Sequence, residues 1–163
     1  MPIATGFREQ GNQALNIKQE LYNKCIQFVN IRLNIINKTI QEIQESLTTE
    51  TKSSAGDKHE TGRAMLQLER EKIGHQLAET QKLKETLSKI TPSKVSTTIS
   101  LGSVVYTSQN NYFIAVSAGE IQVNKIFYYA ISANTPIGKL LIGQTAEDEV
   151  CFRELNIKIL EVL

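Results

Sequence analysis

Between Gln13 and Leu47 apolar side chains return every three or four residues, at Ile17, Leu21, Cys25, Phe28, Ile31, Ile35, Ile36, Ile40, Ile43 and Leu47, with Lys, Gln, Asn and Glu between them. That is the period of one face of an α-helix. Sustained for about 35 residues, it predicts a helix ~50 Å long, several times the mean globular helix. So long an apolar stripe needs a partner to cover it.

The partner is next in the chain. Thr48 to Asp57 is polar and contains Ser53, Ser54 and Gly56, the composition of a turn. Helical spacing then resumes at Leu66, Ile73, Leu77, Leu83, Leu87 and Ile90, until Thr91-Pro92-Ser93, where proline cannot continue a helix. Two helices of similar length joined by a short loop predict a long antiparallel coiled-coil hairpin over residues 1–91, with its tip near 48–60. Gly62 and Gly74 each weaken the second helix by about 1 kcal/mol relative to Ala.

After Pro92 the period changes to two. β-Branched and aromatic residues gather in short runs, Val95–Ile99, Ser103–Thr107, Tyr112–Ser117, Ile126–Ile131, Val150–Arg153 and Ile157–Val162, with a turn expected at Gln109-Asn110-Asn111. One short helix is expected at Thr135–Gly143, with Thr135 as N-cap, Pro136 in the first helical position and Gly143 just past the end. Residues 92–163 therefore read as an antiparallel sheet with one short helix, and the whole chain as α+β.

Composition excludes several functions. The 163 residues carry a net charge of +1 with 21% charged residues and no Trp, which argues against a strongly basic nucleic-acid binder. No apolar run reaches signal-peptide or membrane-span length, so a cytoplasmic protein without membrane contact is expected. Cys25 and Cys151 lack metal-type spacing and are expected to be buried thiols. His59 and His75 have no ligand-spaced partner, and there is no Gly-rich phosphate loop or nucleophile elbow. No self-contained enzyme and no small-molecule substrate are expected. The lysines and arginines of the hairpin alternate with glutamates, as on an ordinary solvated helical face.

Asp57 and Glu60 stand three apart at the expected start of the second helix, so both would project from one side of its first turn. An acid at the N-cap and a Glu three residues on also cap orphan amides and suit the helix dipole, a stabilisation of roughly 1 kcal/mol. The two roles are compatible.

Two stretches resemble the bacterial transcript-cleavage factors GreA and GreB. Gly56-Asp57-Lys58-His59-Glu60 resembles the tip pattern G-D-x-x-E of that family. Ile131-Ser132-Ala133-Asn134-Thr135-Pro136-Ile137-Gly138-Lys139-Leu140-Leu141-Ile142-Gly143, followed by Glu147-Asp148-Glu149-Val150, resembles its I-S-x-N/D-S-P-I-A-x-x-L-I-G…G-D-E-V segment. The resemblance implies an FKBP-like domain behind the hairpin and a transcription elongation factor that binds RNA polymerase. The hairpin would enter the secondary channel and stimulate cleavage of backtracked RNA, meeting the 3′ part of the transcript only inside that complex. Asp57 and Glu60 would help hold a Mg²⁺ shared with the polymerase, with no cofactor of the factor's own. Asn134, Thr135 and Pro136 match positions that touch the polymerase at the channel rim.

The departures from the pattern are specific. His59 precedes the tip Glu where Ser is usual, Thr61-Gly62-Arg63-Ala64 follows where Asn-Ala-Glu-Tyr is usual, and Thr135 and Glu147 replace Ser and Gly. They frame two alternatives: a regulator of the same fold that occupies the channel without stimulating cleavage, and a coiled-coil scaffold for another protein.

Overall fold

A computed structural model describes the backbone of residues 3–52 and 56–163, and the side chains of 11–49 and 60–163. The chain divides into two compact units, one of Met1–Gln27 with Thr86–Leu163, the other of Phe28–Glu85.

Two long helices carry the first half of the chain, α1 (Ile3–Lys52) and α2 (Gly56–Ser88). Helix α1 exceeds the expected Gln13–Leu47 at both ends, and Thr48–Lys52, expected as loop, is helical. The hydroxyls of Thr48 and Thr49 donate to the carbonyls of Gln44 (2.9 Å) and Glu45 (3.0 Å), so they bond within the helix instead of competing with it. The middle of the expected tip, residues 53–55, lies outside the described residues. Helix α2 ends ahead of Pro92, where the amides of Lys89 and Ile90 donate to Thr86 and Leu87 in a tightened last turn.

Within the unit of residues 28–85, the buried residues of α1 are Val29, Ile36 and Ile43, seven apart. On α2 Thr80 is fully buried, its hydroxyl satisfied by the Gln76 carbonyl at 2.7 Å. Ile31 and Ile35 are 52% and 61% exposed, and with Phe28, Ile36 and Ile73 they border an apolar groove.

The other unit holds six strands, β1 (Val104–Thr107), β2 (Asn111–Ala115), β3 (Gly119–Val123), β4 (Ile126–Ser132), β5 (Glu149–Phe152) and β6 (Leu155–Val162), with α3 (Pro136–Leu141) between β4 and β5. They form one sheet in the order β3-β4-β2-β1-β6-β5. The sheet is mixed, not purely antiparallel as expected: β2 and β4 run parallel, with Tyr112 opposite Tyr129 and Ala115 opposite Ser132. The cause is β3, which takes the outer edge and returns the chain through a hairpin, so that β4 slots in beside β2.

Strand β3 was not among the expected runs, although its Ile121 and Val123 alternate inward. Conversely, Val95–Ile99 forms no strand, only a bridge between Thr98 and Thr145. There the Ser96 hydroxyl takes up the Thr98 carbonyl at 2.9 Å, a local bond that competes with a ladder. Two hairpins close through left-handed pairs, Asn124-Lys125 (φ 51° and 65°) and Arg153-Glu154 (φ 52° and 65°), the conformation whose twist matches the flanking strands.

One face of the sheet packs Val105, Tyr112, Ile114, Ile157 and Ile159 against Ile137 and Leu141 of α3 with Ile99 and Val150. The alternate residues Val104, Phe113, Tyr128 and Ala130 are also buried, as are Leu21, Cys25, Leu87 and Ile90 in the same unit. Gly102 (φ 91°) allows the chain to pass Ile90 closely, since a Cβ there would lie 3.0 Å from its Cγ2. Of the two cysteines only Cys25 is buried. Cys151 is exposed, because in β5 the inward position falls to its neighbour Val150. Among the described residues no helix is long and apolar enough to cross a membrane.

Candidate functional site

The segment from Ser132 to Gly143 begins where β4 ends and is built from its own hydrogen bonds. Thr135 adopts an extended conformation (φ −68°, ψ 155°), the geometry of an N-cap. Its Oγ1 accepts from the Gly138 amide at 3.1 Å and donates to the Ser132 carbonyl at 2.7 Å. Pro136 then opens α3 with its φ already suited to a helix and no amide left orphaned. The Asn134 amide donates to the Ser132 hydroxyl at 3.2 Å, which fixes the turn from below.

Burial sorts these residues. Ile137, Gly138 and Leu141 face the core, whereas Asn134 and Pro136 are exposed and Thr135 is half-buried. Leu140 and Ile142 are 37% and 38% exposed. The structure therefore brings Asn134 and Pro136 together at the surface, on a turn that Thr135 holds in place from within. Gly138 is confined by the same turn, because a Cβ there would lie 2.4 Å from the Ser132 carbonyl oxygen. The helix closes at Gly143 (φ 85°), whose amide donates to the Ile99 carbonyl at 2.9 Å.

The second part of the segment, Glu147 to Val150, leads into β5. Asp148 accepts from the amide and the hydroxyl of Thr145, at 2.8 and 3.1 Å. Glu147 has φ 75°, a left-handed conformation that glycine adopts without strain. Its carboxylate meets Lys158 Nζ at 3.0 Å, and that partner raises the Lys158 pKa. Both side chains are largely solvated, so the pair adds little stability.

The tip residues lie in the other unit. Asp57 is the second helical residue of α2, not its N-cap as expected, and its side chain lies outside the described residues. Glu60 is the fifth helical residue and is exposed. A solvated carboxylate is a hard oxygen donor suited to Mg²⁺. Among the described residues, which include Glu60, no three acidic, His or Cys side chains gather to hold a metal ion.

Sequence reasoning missed Lys18, which is 3% exposed at the base of α1. The signal was its place seven residues before Cys25 and three before Leu21, on the apolar face of the helix. No protein-family model matches this chain, and no curated protein matches it.

Proposed function

We propose that this chain is a Gre-type factor that docks on bacterial RNA polymerase and presents the tip of its helical hairpin in the secondary channel to stimulate cleavage of backtracked RNA. In this reading the hairpin is a coiled coil and the sheet unit an FKBP-like domain. The observation that carries it is the turn at Asn134–Pro136: two of the three residues that match the polymerase-contacting positions, Asn134 and Pro136, are exposed, while the third, Thr135, is half-buried and holds the turn through its hydroxyl. The left-handed backbone at Glu147 gives further support, since the Gre pattern has Gly there.

In the unit of residues 28–85, Asp57 and Glu60 would add carboxylate oxygens to a Mg²⁺ held mainly by the polymerase. Such an ion, when bound, orients a water and stabilises the attacking and leaving oxygens of the phosphodiester. The chain itself supplies reach and two anionic ligands: α2 extends over 33 residues, ~50 Å at 1.5 Å each. A second reading rests on the sequence around Glu60. His59 and Thr61-Gly62-Arg63-Ala64 depart from the pattern, which favours a channel occupant that tunes the polymerase without cleavage.

The test is transcript shortening in a stalled, backtracked complex of cognate polymerase, with binding measured alongside. Cleavage that disappears in Asp57→Ala/Glu60→Ala while binding persists supports the first reading; binding by the wild type without cleavage supports the second. Asn134→Ala/Pro136→Ala should weaken binding with unchanged circular dichroism. No polymerase binding by the wild type would overturn both readings.

A further inference from the structure

The Lys18 side chain is 3% exposed, and its ammonium lies part-buried at the edge of a concavity. Its Nζ donates to the Lys94 carbonyl, which occupies one of three N–H donors. Burial depresses its pKa, and no carboxylate among the described residues offsets that. Taking an ammonium out of water is costly unless an opposite charge accompanies it. The chain nevertheless places two more lysines around the same spot.

Lys18, Lys89 and Lys94 border a partly enclosed concavity of about 160 Å³, within the unit formed by the two chain ends. The rest of its wall is Thr91, Ser96, Ser100, Leu101, Gly102 and Ser103, with no Asp or Glu. Ser103 is 2% exposed, and its oxygen accepts from the Ser100 amide at 3.0 Å, so its O–H remains able to donate. Positive charge and hydroxyl donors with no anionic side chain describe a receptor for an anion.

We propose that this concavity binds a small phosphate-class oxyanion. Three lysines and the hydroxyl-bearing Thr91, Ser100 and Ser103 line the concavity, and lysine acts as a point charge toward phosphate without the planar fork that selects carboxylates. The space holds several waters, at about 30 Å³ each, and so admits an ion of five heavy atoms. The wall has no aromatic residue on which a base could stack, so recognition is of the phosphate group alone. The bound ion sets a counter-charge beside Lys18. Because none of these residues belongs to the tip or to the Asn134 turn, the site stands whether or not the chain docks on polymerase.

The experiment is a titration of the ¹⁵N-labelled full chain with sodium phosphate at neutral pH, with sodium chloride at matched ionic strength as the reference. Saturable shifts of the Gly102 and Ser103 amides with phosphate, absent with chloride, are expected. Lys89→Gln/Lys94→Gln changes only exposed side chains and should weaken binding about tenfold or more, as loss of charge-assisted bonds does. Lys158→Gln, away from the concavity, should bind as the wild type does. Linear shifts without saturation, equal shifts with chloride, or unchanged affinity in the double variant would each overturn the proposal.

Discussion

Tyr106 and Tyr128 form a pair whose two members should respond unequally to the same deletion. Their hydroxyls are 2.9 Å apart, and the rings meet edge to face with centroids at 5.9 Å. Tyr128 is fully buried, whereas Tyr106 is half-buried. Removing the Tyr106 hydroxyl strands that of Tyr128 away from water, and a buried donor left without a partner costs about 1–3 kcal/mol. Tyr106 as a residue is only half-buried, so Tyr128→Phe should cost less, about 0.5–1 kcal/mol. The double variant leaves no orphan and should be more stable than Tyr106→Phe alone, a non-additivity that a double-mutant cycle reads directly. Thermal unfolding followed by near-ultraviolet circular dichroism suits the test, since the chain has five tyrosines and no Trp to mask them. For a chain of this size each kcal/mol should move Tm by ~2–4 °C. The Tyr106 phenol, raised first by burial and then by Tyr128, should remain raised in Tyr128→Phe, though less so. Equal costs for the two single variants, or strictly additive ones, would refute the argument.

Two further outcomes are expected. At mildly alkaline pH one thiol should react quickly with a disulfide reagent and the other only after denaturation: Cys151 is exposed, whereas burial pushes Cys25 up to about 12. Cys151→Ser should therefore abolish the fast phase; its persistence would contradict the burial pattern. Thr135→Ala should cost about 1 kcal/mol in urea unfolding through loss of the N-cap, while Thr135→Ser should be close to neutral, and equal losses for both would show that the methyl group matters more than the hydroxyl.

The helices and the Thr135 cap were legible because each is written in local chemistry. A face repeating every three or four residues, a proline after α2 and a Thr-Pro pair before α3 specify their elements without knowledge of the rest. Helix ends were less legible, because Thr48 and Thr49 resemble loop residues until their hydroxyls turn back on the helix. The parallel pairing of β2 with β4 was hidden, since it depends on where β3 goes, and β3 follows a turn with no Asn-Gly signature. Asn124 suits left-handed backbone, whereas Lys125, Arg153 and Glu154 show that side chains without that preference accept it when strands on both sides demand it. At the candidate sites, sequence named Asn134 and Pro136 but could not say that they share a surface. It gave Lys18 as one more charge on a helix, and only burial distinguishes it from the others.

Residues 28–85 interrupt the unit that surrounds them, whose first piece ends at Gln27 and whose second begins at Thr86. Synthesised from the N-terminus, such a chain must hold its first piece in reserve until residues 86–163 exist to complete its unit, so residues 28–85 are made before the unit that flanks them in sequence can close. The same arrangement makes arm length an adjustable dimension. Matched insertions of seven residues in both arms would lengthen each by ~10 Å while keeping each helix's face in phase, and would leave Leu21, Cys25, Leu87 and the sheet core as they are. Reach could thus change over generations by counting turns, without redesign of the part that holds the protein together.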